Sequence, residues 1–211
     1  MSAPIMYHQN HSFESLRRDF FFYDHFYGSG IQDLWHGSGN AGGGMAVVDG
    51  VAGGICRITT GSGDNDYWQL LWNSKRSLLT THNVAMEFRF KLEVSTPIYC
   101  LWGLDTGAYT NNTAFYTDTD TTSDWWIRCR NLSGTSEHNS NIALDTDYHI
   151  FRVQCHNHGG LHVHYYIDNL ETDNSPLTTY IPTTHLQPLI FFRTREAAAH
   201  YYDMDYIGIR M

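Results

Sequence analysis

Val84, Met86, Phe88, Phe90, Leu92 and Val94 stand at every second position and alternate with Ala85, Glu87, Arg89, Lys91 and Glu93. A period of two places the first set on one face of an extended chain, so the segment reads as a half-buried β-strand. The same alternation sets Phe151, Val153 and Cys155 against Arg152 and Gln154, then Leu161, Val163, Tyr165 and Ile167 against His162, His164 and Tyr166. The link His156-Asn157-His158-Gly159-Gly160 makes these two strands a hairpin. Further strand signals lie at Phe20 to Tyr27, Met45 to Val48, Ile55 to Thr59, Tyr67 to Trp72, Ile98 to Leu104, Ala114 to Thr117, Trp125 to Arg130, Leu189 to Arg193 and Met204 to Ile209. Asp49-Gly50 and Asp168-Asn169 supply turn chemistry. The best helical stretch, Arg195 to His200, amounts to one short turn. About a dozen short strands with regular turns predict an all-β, antiparallel two-sheet sandwich.

Composition narrows the class further. The 211 residues carry 13 Lys+Arg against 22 Asp+Glu, a net charge of -9, which argues against a nucleic-acid partner. Aromatic residues reach 15% while charged ones are 17%, below the roughly 25% usual for globular chains, which excludes disorder and coiled coil. Eleven of the cations are Arg and two are Lys (Lys75, Lys91), a balance suited to planar, directed contacts at an interface. No apolar run reaches the ~18 residues of a membrane span, so no membrane partner is expected. The opening 22 residues hold no apolar signal core, and the sequons at Asn10, Asn111 and Asn131 then read as chance matches. Cys56, Cys100, Cys129 and Cys155 lack any CxxC pairing and read as buried free thiols. Twelve of the 18 glycines fall between Gly28 and Gly63, yet no linker marks a boundary. The expected organisation is an N-terminal arm over 1–18 and a single domain over 19–211.

The second half carries a resemblance. The hairpin ending in Tyr166-Ile167-Asp168-Asn169 is followed by Ile181-Pro182-Thr183-Thr184, by Leu186-Gln187-Pro188-Leu189-Ile190, and by a closing strand Met204 to Ile209. With the strands Phe88 to Leu92 and Tyr99 to Leu104, this order over residues 84–210 resembles the concanavalin A-like lectin/glucanase jelly rolls, particularly members encoded among bacteriophage structural genes. The resemblance implies a jelly-roll β-sandwich. It also makes glycoside hydrolysis or polysaccharide lysis worth testing.

Retaining glycosidases need two carboxylates about 5 Å apart, which one strand face can supply at i and i+2. The Glu-x-Asp-x-(x)-Glu string of the fold's hydrolases is absent, as are the Arg-rich strand and Gln-x-His of its lyases. The acid pairs present are Asp64/Asp66, Asp118/Asp120, Asp145/Asp147 and Asp203/Asp205. Only the last lies on an expected strand, read as a solvent-facing edge with Met204 and Tyr206 inward. No catalytic residue is therefore assigned, and a non-enzymatic protein is expected.

Two ions are conceivable, though no cofactor and no metal site is assigned. His156, His158, His162 and His164 share a hairpin, where imidazoles at i and i+2 offer a zinc or copper face, against which stand a solvated face and no acid before Asp168. Asp64-Asn65-Asp66 and Asp118-Thr119-Asp120 offer alternating oxygens for calcium, or simply Asx turns. The Gly37 to Gly44 run lacks a following Lys-Ser/Thr and a helix, so it reads as loop or closely packed backbone and not as a phosphate cradle.

Aromatic residues give the strongest binding signal. Trp125 and Trp126 are adjacent on a strand and must face opposite ways, leaving one for solvent or a partner unless both are ordinary core residues. Tyr109, Tyr116 and Trp126 are candidates for a sugar platform, while Arg128 and Arg130 suit either a glycan or a protein partner. The expectation is a virion structural protein of a phage-like virus, a capsid decoration or fibre-associated subunit. Its expected partners are a capsid or tail protein and further copies of itself. The alternative is a carbohydrate-binding, lectin-like module that recognises a surface glycan.

Overall fold

The computed structural model describes residues 21–26, 34–40, 42–48, 54–72, 75, 77–95 and 97–211; the expected arm and the Asp49-Gly50 turn lie outside them. The strands are β1 (Phe21–Asp24), β2 (His36–Gly39), β3 (Gly44–Val47), β4 (Cys56–Thr59), β5 (Tyr67–Leu71), β6 (Ala85–Leu92), β7 (Ile98–Asp105) and β8 (Asn112–Asp118). They continue as β9 (Asp124–Asn131), β10 (Gly134–Ala143), β11 (His149–His156), β12 (His162–Ile167), β13 (Leu170–Glu171), β14 (Gln187–Thr194) and β15 (Tyr201–Arg210). A single 3-10 turn, Thr80–His82, is the only helical element among the described residues, and no helix there is long and apolar enough to cross a membrane.

Two antiparallel sheets result. One runs β13-β12-β11-β6-β15-β4-β3, with β1 also paired to β15; the other runs β10-β9-β8-β7-β14-β5-β2. The expected half-buried strand is β6, whose Met86, Phe88, Phe90 and Leu92 are buried. The expected hairpin is β11-β12, with Phe151 opposite Ile167 and Cys155 opposite Val163. Asp168 and Asn169 turn the next hairpin with φ of 52° and 67°, the left-handed pair that a tight hairpin requires.

The core lies between the sheets. Phe90 and Phe151 stack at 4.7 Å, and the second sheet meets them edge-on with Trp102, 4.2 Å from Phe90, and Trp125, 5.2 Å from Phe151. Each buried aromatic contributes about 1.5–3 kcal/mol by leaving water, and well-placed ring pairs add about 0.5–1.5 kcal/mol. Tyr165 reaches across with its hydroxyl 2.7 Å from Thr113 Oγ1 and 2.7 Å from the carbonyl of Arg128, which satisfies a polar group in an otherwise apolar interior. All four cysteines are free and buried.

Two expectations about β15 are corrected. β15 is not a solvent-facing edge: β6 lies on one side, β4 and β1 on the other. A bulge between Met204 and Tyr206 reverses the alternation, so Tyr206 does not turn inward; it donates to Glu87 and stacks on Tyr23. Of the two readings left open for the Gly37 to Gly44 run, closely packed backbone holds at Gly39, on β2 (His36–Gly39). There glycine is a packing requirement: a Cβ on Gly39 would stand 2.3 Å from the Tyr67 carbonyl oxygen.

Candidate functional site

The outer face of the seven-stranded sheet gathers most of the candidate aromatics. Alternation along β9 sends Trp125 and Ile127 into the core and turns Trp126, Arg128 and Arg130 outward. Trp125 is 1% exposed and therefore does not join the site. Trp126 pairs in register with Tyr116 of β8, their rings 6.1 Å apart and tilted by 50°. Thr122 Oγ1 accepts from Trp126 Nε1 at 2.9 Å, which fixes the indole.

Arg128 and Glu137 complete the patch. The Arg128 guanidinium lies 4.8 Å from the Tyr116 ring centroid, donates through Nε to Asn112 at 3.1 Å, and pairs through Nη1 with Glu137 at 3.3 Å. Glu137 also accepts from the Tyr116 hydroxyl at 3.2 Å. Burial first, and the Glu137 carboxylate second, raise the Tyr116 phenol above its ordinary range, so it stays a neutral donor. Arg130 is exposed and forms no ion pair among the described residues. Glu137 comes from β10, which sequence reasoning missed because its residues are polar on both faces.

Tyr109 reaches the same outer face from the β7-β8 loop. It adopts φ 58°, packs edge-on to Phe191 at 5.1 Å and donates to Gln69 Oε1. Asp105 shapes that loop by accepting from the backbone N–H groups of Gly107, Ala108 and Tyr109, and it also accepts from the Asn112 side chain. Burial nonetheless pushes the Asp105 carboxyl above its usual range. Asn112 thus links the Tyr109 loop to Arg128. Tyr109 and Tyr116 both pack against a second apolar cluster of Leu71, Leu101, Ala114, Leu189 and Phe191 on this face.

The remaining candidates separate. Asp118 and Asp120 both pair with Arg195, whose Nη1 also donates to Asn65, so one guanidinium already stands among the acids considered for calcium. Asp66 caps the Gly63 N–H at 2.7 Å. Asp203 is buried and forked by Arg57, while Asp205 pairs with Arg89. His156, His162 and His164 come together on the other sheet; His158 lies exposed in the turn.

No protein-family model and no curated protein sequence matches the chain. Solved structures do. The Emp47p carbohydrate recognition domain superposes with a TM-score of 0.62 at 9% identity, over 90% of this chain and 93% of that one. A Bacteroides ovatus mixed-linkage glucan GH16 protein gives 0.62 at 10% identity, over 89% and 99%. The fold is a concanavalin A-like jelly roll. A carbohydrate esterase from the Shiga toxin-encoding bacteriophage phi24B shares this jelly roll, at a TM-score of 0.54 and 15% identity over 84% and 89%. At such identities the likeness concerns the fold alone.

Proposed function

We propose that this jelly roll binds carbohydrate without cleaving it, on the outer face of the seven-stranded sheet. The observation that carries the reading is Trp126 beside Tyr116, two tilted rings flanked by the Arg128–Glu137 pair. Aromatic faces stack on the apolar faces of pyranose rings, and a charged pair next to them hydrogen-bonds sugar hydroxyls. The lectin and glucanase structures sharing the fold support a saccharide ligand. A non-catalytic role is supported by the acids of this face. Asp105 is held by backbone donors, Asp118 by Arg195, Asp124 by Asn139, and Glu137 by Arg128 and Tyr116. Leu101, Leu189 and Phe191 occupy the strands between.

A glycan array followed by calorimetry tests the proposal. Selective binding that weakens about tenfold or more in Trp126→Ala is expected. Silence across the array, binding indifferent to that substitution, or release of reducing sugar would overturn it.

A virion subunit of a phage-like virus is the second reading, and the two are compatible. The jelly roll shared with the phage phi24B structure supports it. Co-sedimentation with stripped particles is expected; a monomer that ignores them at high concentration would remove this reading.

A further inference from the structure

We propose that the carbohydrate face selects an anionic saccharide, one bearing a carboxylate or a sulfate ester, and that Arg193 is the residue that meets the charge. This rests on the carbohydrate reading above and names its ligand class. Alternation along β14 places Leu189, Phe191 and Arg193 on the outer face of the seven-stranded sheet, while Ile190 and Phe192 enter the core. One row crosses that sheet in register: Trp126, Tyr116, Leu101, Phe191 and Gln69. Arg193 lies two residues further along β14, opposite Tyr99 on one side and Tyr67 on the other. With strands about 4.8 Å apart and residues about 3.4 Å apart along each, Arg193 stands about 16 Å from Trp126, a span that an oligosaccharide bridges and a single sugar does not.

The charge of Arg193 is uncommitted. Arg57, Arg89, Arg128, Arg152 and Arg195 each pair with a carboxylate. Arg193 has no side-chain acceptor among the described residues, although it is only partly exposed and its Nε is closed to solvent. Its guanidinium lies 4.8 Å from the Tyr99 ring centroid. The acid nearest in register, Asp118 opposite Tyr99, belongs to Arg195, which also holds Asp120 at 3.4 Å. Water serves the exposed Arg130 and Arg210, but a guanidinium drawn partly out of water onto a tyrosine calls for an acceptor. With Nε closed, Nη1 and Nη2 are the pair left to meet a ligand, and two parallel N–H groups match two oxygens of a carboxylate or a sulfate.

The surroundings suit a sugar that carries such a group. Phe191 is walled by Tyr67, Tyr99 and Tyr109, with ring centroids at 5.3, 5.8 and 5.1 Å. The Tyr109 hydroxyl is engaged by Gln69, whose Nε2 donates to Ser38 Oγ at 2.9 Å, while the hydroxyls of Tyr67 and Tyr99 have no protein partner among the described residues. Ring faces take the apolar side of a pyranose, unpaired hydroxyls take its polar groups, and Arg193 takes the anion. A neutral glycan would displace water from the guanidinium without supplying a charged acceptor, so the same residue disfavours neutral ligands.

Matched glycan sets test the charge selection: one oligosaccharide backbone is presented with a uronate carboxylate, with a sulfate ester, or with hydroxyls alone. The anionic members are expected to bind about tenfold or more tighter than the neutral one, with an affinity that falls as salt rises from about 0.05 to about 0.5 M. Whichever of the carboxylate and sulfate members binds tighter identifies the anion. In Arg193→Gln the anionic-to-neutral ratio should fall to about one, and in Arg193→Lys to an intermediate value. The ratio and the salt dependence are also read on the unmodified chain, so a variant that fails to fold leaves the test intact. Neutral and anionic members bound alike, with binding still lost in Trp126→Ala, would overturn the charge selection and leave the carbohydrate face standing. An anionic preference that survives Arg193→Gln would overturn the role of Arg193. Silence toward every member would remove the carbohydrate face and its charge selection together.

Discussion

Arg57 grips Asp203 with both arms of its fork: Nε lies 2.7 Å from one carboxylate oxygen and Nη2 2.8 Å from the other. The Tyr201 ring lies 3.8 Å from the same guanidinium. The Asp203 side chain is 5% exposed and that of Arg57 37%, so the acid depends on its partner more than the reverse. Arg57→Ala leaves a buried carboxylate unpaired and is expected to cost about 1–3 kcal/mol, discounted for the exposed arginine. Urea denaturation, read as a lowered midpoint at constant slope, checks it.

The two adjacent tryptophans should separate stability from binding. Trp125→Ala empties a core site packed against Phe90, Trp102 and Phe151 and should cost about 3–5 kcal/mol. Trp126→Ala on the outer face should cost about 1 kcal/mol or less while weakening glycan binding. Paired denaturation and calorimetry on both variants measure the contrast.

His149 predicts a pH response. Burial works to lower its pKa, but hydrogen bonds to Asp168 at 2.6 Å and Asp145 at 2.9 Å outweigh that and raise it overall. A raised folded pKa adds stability that is complete below the unfolded value of about 6.5 and is lost as pH rises through the folded value. The destabilisation caused by His149→Gln should therefore be larger at about pH 5.5 than at about pH 8. Both acids are about half exposed, 47% and 48%, so a modest difference is expected in thermal melts at the two pH values.

Gly103 sits mid-strand on β7 with φ 153°, where a Cβ would stand 2.3 Å from the Thr113 carbonyl oxygen of β8. Neither backbone can yield without breaking the ladder between them. Gly103→Ala should cost about 2–4 kcal/mol, seen as a lowered thermal midpoint.

The thiols offer a probe of intactness. Burial raises Cys56 to about 12 and Cys129 to about 11, far from the thiolate form at neutral pH. A disulfide reagent should leave all four unreactive in the folded chain and titrate four after denaturation.

The sandwich was legible because burial on one face writes itself as alternation, as at Met86, Phe88 and Phe90. β10 left no such trace: a sheet-edge strand with little to bury, it alternates polar with polar, and Glu137 went unseen with it. The bulge at Asp205 was equally silent, since one extra residue shifts every later side chain of β15 to the other face without altering composition. At the candidate face, the opposed directions of Trp125 and Trp126 followed from strand geometry, but which of them faced the core depended on β9 lying between β8 and β10. The pairing of His164 with Glu171 required a fold-back that spacing alone does not encode.

The partners of β15 come from far up the chain: residues 201–210 hydrogen-bond to residues 21–24, 56–59 and 85–92. During synthesis those earlier strands leave the ribosome with open edges and wait for roughly 110 to 180 further residues before the strand that seals them emerges. Completion of this sheet therefore waits for β15, and until it forms the open edges of β1, β4 and β6 are available for pairing with another chain.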